Sequence, residues 1–133
     1  MKTIRQTATI RGATPHDIYE TLMDSKKHTR LSRQPTKVSR RVGGAFKVGT
    51  DLEGRHLALT RDRKIVQTWR ANNWEKGVYS KATFRLAKAA GGTRITFTQT
   101  GVPTDKYGET STGWRVYYWE PLRKQFGDKR PKK

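Results

Sequence analysis

Gly113-Trp114-Arg115-Val116-Tyr117-Tyr118-Trp119-Glu120-Pro121-Leu122-Arg123-Lys124-Gln125-Phe126 gathers aromatic side chains that the rest of this polar chain spreads thinly. Trp114, Tyr118, Leu122 and Phe126 recur every fourth residue, so a helix places them on one stripe, with Trp119 beside it. The spacing predicts a closing helix from about Thr110 to Phe126. Each large aromatic withdraws ~150–250 Å² from water when buried. Only 32% of the residues are apolar, so a core needs that area. The same side chains can also line a cavity. Tyr and Trp end in polar atoms that need partners, and a space lined by them suits an amphipathic guest. Pro121 has no amide hydrogen and predicts a kink that would open one end of whatever the helix covers.

Upstream of this segment the dominant period is two. Thr3 to Arg11 puts Ile4, Ala8 and Ile10 on one face, with Gln6 the exception. Gly12-Ala13 ends this strand. Thr14-Pro15-His16-Asp17 opens a helix, with Thr14 as cap and Asp17 completing a capping box. Ile18, Tyr19, Leu22 and Met23 form the helix's apolar stripe. Lys26 to Ser32 predicts a second short helix, and Pro35 breaks it. Thr36 to Val42 reads as a short charged edge strand. Gly43-Gly44 is a turn, and Ala45 to Val48 is a strand. Asp51 to Gly54 is expected to turn again. Leu57 and Leu59 then share a face opposite His56, Ala58 and Thr60. Lys64 to Arg70 follows as a strand, with turn signals around Trp74. Val78 to Leu86 and Thr93 to Thr100 alternate across the hairpin loop Ala89-Ala90-Gly91-Gly92. The order is one strand, one or two helices, about six antiparallel strands and one long helix. This predicts an α+β fold. A half-buried sheet must cover its apolar face, and the closing helix is the one candidate large enough.

Several of these motifs, taken in order, resemble a known family. Gly43-Gly44-Ala45-Phe46, Ile65-Val66-Gln67-Thr68-Trp69-Arg70 and Trp74 resemble the START-like (SRPBCC) helix-grip superfamily. So does Gly91-Gly92-Thr93-Arg94-Ile95-Thr96-Phe97 followed by Gly101-Val102-Pro103. Gly113-Trp114-Arg115-Val116-Tyr117-Tyr118-Trp119-Glu120, with Leu122, Lys124 and Phe126-Gly127, narrows the match. It is similar to the C-terminal domain of the activator of the ninety-kilodalton heat-shock chaperone ATPase, and to the stand-alone bacterial homologues of that domain. The resemblance runs from about Lys2 to Gly127. The eukaryotic activator carries a separate N-terminal domain ahead of this one, whereas the present sequence opens at the first strand. The resemblance implies a curved antiparallel sheet gripping a long C-terminal helix. It also implies a cavity between the two that takes an apolar or amphipathic ligand, and a chaperone as partner. The cavity candidates are Phe46, Trp69, Phe84, Phe97, Trp114, Tyr118, Trp119 and Leu122.

The charge is extreme: 29 Lys and Arg face 11 Asp and Glu, a formal net charge of +18. Between Ser25 and Thr50 lie Lys26, Lys27, Arg30, Arg33, Lys37, Arg40, Arg41 and Lys47, with no acid among them. Such a field attracts polyanions or acidic partners, so Lys26 to Arg41 are the contact candidates for nucleic acid. Residues 128–133 form a basic tail to the domain at residues 1–127. Many chemistries find no support. There is no cysteine, hence no disulfide, thiol nucleophile or thiolate metal site. His16, His28 and His56 lack ligand spacing, so no metal is expected. There is no P-loop, dinucleotide fingerprint or nucleophile elbow, so no cofactor and no enzyme are expected. The first residues contain no apolar run for a secretory signal, and no stretch nears the ~20 apolar residues of a membrane helix. A cytoplasmic protein is the expectation.

Overall fold

A computed structural model describes residues 1–127; the basic tail over residues 128–133 lies outside the described residues. Seven antiparallel strands form one sheet. They are β1 (Lys2–Arg11), β2 (Thr36–Val38), β3 (Ala45–Val48), β4 (Leu52–Thr60), β5 (Lys64–Ala71), β6 (Ser80–Ala89) and β7 (Gly92–Val102), in the spatial order β1-β7-β6-β5-β4-β3-β2. The two short helices α1 (Pro15–Met23) and α2 (Ser25–Ser32) separate β1 from β2. After β7 a single 3₁₀ turn leads into α3 (Tyr107–Trp114), a π-helical turn over Arg115–Trp119, and α4 (Glu120–Gly127). The last three run on without a break and form the closing helix of a helix-grip fold. The helix therefore begins three residues earlier than its apolar stripe suggests.

Local chemistry accounts for the elements. Thr14 and Asp17 exchange reciprocal cap bonds at α1, with Asp17 N–H donating to Thr14 Oγ1 (3.0 Å) and Thr14 N–H to Asp17 Oδ2 (2.9 Å). Asp24 ends α1 and caps α2, accepting from Lys27 N–H at 2.9 Å. Along β1, β6 and β7 the period-two alternation places Ile4, Ala8, Ile10, Ala82, Phe84, Leu86, Ile95 and Phe97 in the core.

Three details depart from the sequence reading. The edge strand predicted to Val42 pairs only over Thr36–Val38 before the chain turns through residues 40–44. Gly54 is not part of a turn; the turn ends at Asp51, and Gly54 sits within β4 opposite Phe46. A Cβ at Gly54 would collide with the carbonyl of Thr68 and the ring of Phe46. Glycine is there for close approach, which lets β4 curve onto β5 beneath the Phe46 ring. Finally, a bulge between His56 and Ala58 throws Leu57 to the outside, 48% exposed, and turns His56 into the core. Leu59 remains partly buried against the core.

Pro121 is accommodated by the π turn. There Glu120 N–H donates to Arg115 O, five residues back, so the helix is already widened where the pyrrolidine ring must fit. The two aromatics at the end of that turn, Tyr118 and Trp119, are both buried. No helix of the described residues is long and apolar enough to cross a membrane.

Candidate functional site

The aromatic stripe of the closing helix meets the sheet in one continuous ring cluster. Trp114 lies 4.3 Å from Phe97, 5.4 Å from Trp69, 5.5 Å from Phe84 and 4.9 Å from Tyr118, centroid to centroid. Trp119 stacks 5.8 Å from Trp114 and meets Phe97 edge-on at 5.5 Å. Such pairs contribute ~0.5–1.5 kcal/mol each beyond their buried area.

The polar tips of the three helix rings, Trp114, Tyr118 and Trp119, each find a partner on another element. Trp114 Nε1 donates to Gln99 Oε1 at 2.7 Å. Gln99 Nε2 donates to Ser80 Oγ at 2.8 Å, and Ser80 Oγ donates to the Trp69 carbonyl at 2.8 Å. Trp119 Nε1 donates to Gln6 Oε1 at 2.7 Å, while Gln6 Nε2 donates to the carbonyl and hydroxyl oxygens of Ser111. Gln6, the exception in the first strand's alternation, thus ties β1 to the closing helix. Tyr118 OH pairs with His28 Nε2 at 2.9 Å. The Leu22 carbonyl lies 2.9 Å from His28 Nδ1 and can only accept, so Nδ1 carries the proton and Nε2 accepts from Tyr118. Burial pushes the Tyr118 hydroxyl well above the usual phenol range.

With the rings so seated, little space is left between sheet and helix. The void bounded by Leu22, Met23, His28, Phe46, Phe84, Trp114 and Tyr118 is about 20 Å³, room for about one water. Phe46, stacked 6.0 Å from His56, and Phe84 border that void. Phe97, Trp119 and Leu122 are fully packed core residues. An accessible cleft lies at one end of the grip. It is a cleft of about 270 Å³ between α3, the start of the π turn, and the β3–β5 end of the sheet. Trp69, Trp114 and Tyr118 form its wall, Val48, Leu52 and Ala71 its apolar floor, and Thr110 and Gly113 leave the gap in the helix. The opening therefore lies on the N-terminal side of the widened turn and not at Pro121. Tyr117, 68% exposed, stands at its rim. Of the predicted cavity residues, the structure brings Trp69, Trp114 and Tyr118 to this cleft.

Among the described residues, the carboxylates and bases lining the cleft are Asp51 and Glu109, beside the polar Ser32 and Gln34. Asp51 accepts from Gln34 Nε2 at 3.0 Å and from Asn72 Nδ2 at 3.4 Å. Glu109 accepts from Asn73 Nδ2 at 2.8 Å. Neither carboxylate is in an ion pair among the described residues. Sequence reasoning missed both, because they lie 58 positions apart and converge only through the fold. It also missed Gln99 and His28. For Gln99 a signal existed: it shares its strand phase with Ile95 and Phe97.

The basic candidates are spread over α2, β2 and the turn beyond it. Lys26, Lys27 and Arg30 are exposed on α2, and Arg33 closes that helix with φ 61°. Lys37 is exposed on β2 and Arg41 in the turn beyond it. Arg40 is held by Glu20 at 2.6 Å, a bond that favours its charged form. Among the described residues no group of three His, Asp or Glu is placed to hold a metal.

The two buried histidines give the fold a pH dependence. His56 Nε2 donates to the Ser39 carbonyl at 2.9 Å, leaving Nδ1 to face the Gln67 amide at 3.5 Å. Burial holds both His28 and His56 below the ordinary imidazole value, in spite of an opposing backbone hydrogen bond in each case. Below about pH 6.5 the unfolded chain takes up protons at these positions that the folded chain refuses. Their contribution is complete above that pH and is lost progressively as the pH falls toward the depressed folded values. Melting temperature is therefore expected to drop between pH 7.5 and pH 5, and His28→Gln with His56→Gln to flatten that drop. Urea titrations of both proteins across the range check it.

The comparisons with known proteins agree with this architecture. A protein of Schizosaccharomyces pombe, uncharacterized, is 31% identical over 116 residues, covering 86% of this chain and 34% of its own length. The activator of 90 kDa heat shock protein ATPase homolog of Dictyostelium discoideum is 32% identical over 114 residues, covering 84% of this chain and 30% of its own. The chain thus spans about a third of the length of these relatives. Among solved structures, the crystal structure of an HSP90 activator from Plasmodium falciparum superposes with a TM-score of 0.85 at 23% identity, covering 96% of this chain and 97% of that one, a likeness of fold. The family model described as activator of Hsp90 ATPase homolog 1-like protein matches residues 12–127, and the chain belongs to that family.

Proposed function

We propose that this protein is a binding domain rather than an enzyme, and that its cleft takes a small amphipathic ligand carrying a positive charge. The observation that carries the reading is the lining of the 270 Å³ cleft: indole and phenol rings with two carboxylates, in a chain where bases outnumber acids 29 to 11. The polar tips of Trp114 and Tyr118 are turned inward to Gln99 and His28. A guest therefore meets ring faces and carbon, the surface that attracts ammonium and guanidinium groups. Asp51 and Glu109 supply the opposite charge, each held by an amide from a neighbouring loop. The volume, about 270 Å³, lies just below the ~300–1,000 Å³ typical of ligand sites. That size selects a compact body such as an aralkylamine.

Thermal shift and tryptophan quenching with aralkylamines and their carboxylate counterparts test this. Amines are expected to raise the melting temperature and carboxylates to leave it unchanged. Asp51→Asn with Glu109→Gln is expected to weaken amine binding at least tenfold, a loss of ~1.4 kcal/mol. Equal binding of both ligand classes, or none of either, overturns the reading.

A second reading, docking on a heat-shock chaperone, is favoured by the identity to the Dictyostelium homolog across 84% of the chain. Added to a ninety-kilodalton chaperone, the protein is then expected to raise its ATPase rate. An unchanged rate together with no binding at physiological salt removes that reading.

A further inference from the structure

The outer face of the sheet is built differently from the cleft. β1, β7, β6 and β5 are consecutive neighbours, and none of them contains an acidic residue. Their inward side chains form the core, while the outward positions are Thr, Arg and Lys almost throughout. Pairing sets these into rows across the strands. Thr7, Thr96, Arg85 and Lys64 stand side by side on β1, β7, β6 and β5. The next row runs through Arg5, Thr98 and Thr83, and Arg94 stands in the row on the other side, opposite Thr9. Rows lie ~6.6–6.8 Å apart along the strands and ~4.8 Å apart across them.

Two features separate this face from an ordinary solvated one. Lys64 and Arg85 are directly opposed, a like-charge pair that costs stability in the isolated sheet. None of Arg5, Lys64, Lys81, Arg85 and Arg94 is in an ion pair among the described residues. Apart from Arg70, which Glu53 holds at 3.2 Å, the fold thus spends stability to hold a lattice of cations and hydroxyls with no counter-charge among the described residues.

We propose that this face binds the phosphate backbone of double-stranded nucleic acid. Guanidinium, ammonium and threonine hydroxyl groups all donate to phosphate oxygens, contacts that position a duplex without reading its sequence. The alternatives fit less well. Single strands are gripped by exposed rings on which bases stack. The aromatic nearest this face, Tyr79, lies under the Arg70 guanidinium, 5.8 Å from its centroid. A bilayer surface calls for apolar anchors, and these four strands expose no large apolar side chain. Sequence reasoning placed the polyanion contact on the Lys26–Arg41 stretch; the sheet face is a separate surface, and its distinction from α2 can be measured.

The test is fluorescence anisotropy with a labelled DNA duplex of mixed sequence, the matching single strand, and anionic vesicles. Six cations on the face (Arg5, Arg11, Lys64, Lys81, Arg85 and Arg94) give an expected log–log salt slope of about −5. That is a loss of about a thousandfold between about 50 and 200 mM salt. Lys64→Gln, Arg85→Gln and Arg94→Gln together are expected to reduce the slope to about −3. Lys26→Gln, Lys27→Gln and Arg30→Gln remove the same charge from α2 and are expected to leave it unchanged. Arg5→Gln with Arg94→Gln serves as the sheet variant if the triple variant melts early. Equal losses in the sheet and α2 variants, tighter binding to the single strand, or binding to vesicles alone each overturn the proposal.

Discussion

Three side chains on the closing helix end in a polar atom that must be buried, and each needs a partner at a fixed place. Trp114 reaches Gln99 on β7, Trp119 reaches Gln6 on β1, and Tyr118 reaches His28 on α2. Leaving any one of them unpaired costs ~1–3 kcal/mol. Because the partners come from three directions, they fix the rotation and depth of the helix against the sheet. The π turn serves the same end. It widens the helix where Pro121 would otherwise clash with the turn before it.

The location of the cleft follows from this docking. Where rings fill the interface, as between Trp119, Phe97 and Phe84, no space is left. Where the helix offers Thr110 and Gly113, the sheet cannot be reached and the cleft opens. The helix-grip relationship alone would suggest an internal chamber. In this chain the space under the helix is filled by its own aromatics, and a cleft opens at one end of it. Charge follows the same division. Among the described residues the carboxylates other than Glu53 on β4 lie on loops and helices, two of them at the cleft, while the acid-free strands turn their bases outward.

Much of this was legible in the sequence for a physical reason. Period-two alternation and a four-residue aromatic stripe are both properties of neighbouring residues, and they survive without knowledge of the fold. They identify the sheet, the closing helix and Trp69, Trp114 and Tyr118 as residues facing one another. Gly54 was misread because one residue type serves both tight turns and close backbone approach. Leu57 was misplaced because a bulge shifts the phase that alternation assumes. Asp51 and Glu109 could not be paired from sequence, since only the curvature of the sheet brings them to one cleft. The basic run from Lys26 to Arg41 falls on helix, edge strand and turn, and its one ion pair among the described residues, Arg40 with Glu20, could not be read from spacing.

Hydrogen exchange at the indole N–H groups tests the central claim most directly, because it reports on the polar tips themselves. If Trp114 and Trp119 are held on Gln99 and Gln6, their indole protons exchange only when the protein unfolds globally. Their protection then tracks the unfolding free energy measured by urea. Exchange of either proton within the dead time of the experiment, in a protein that remains folded, would contradict the account.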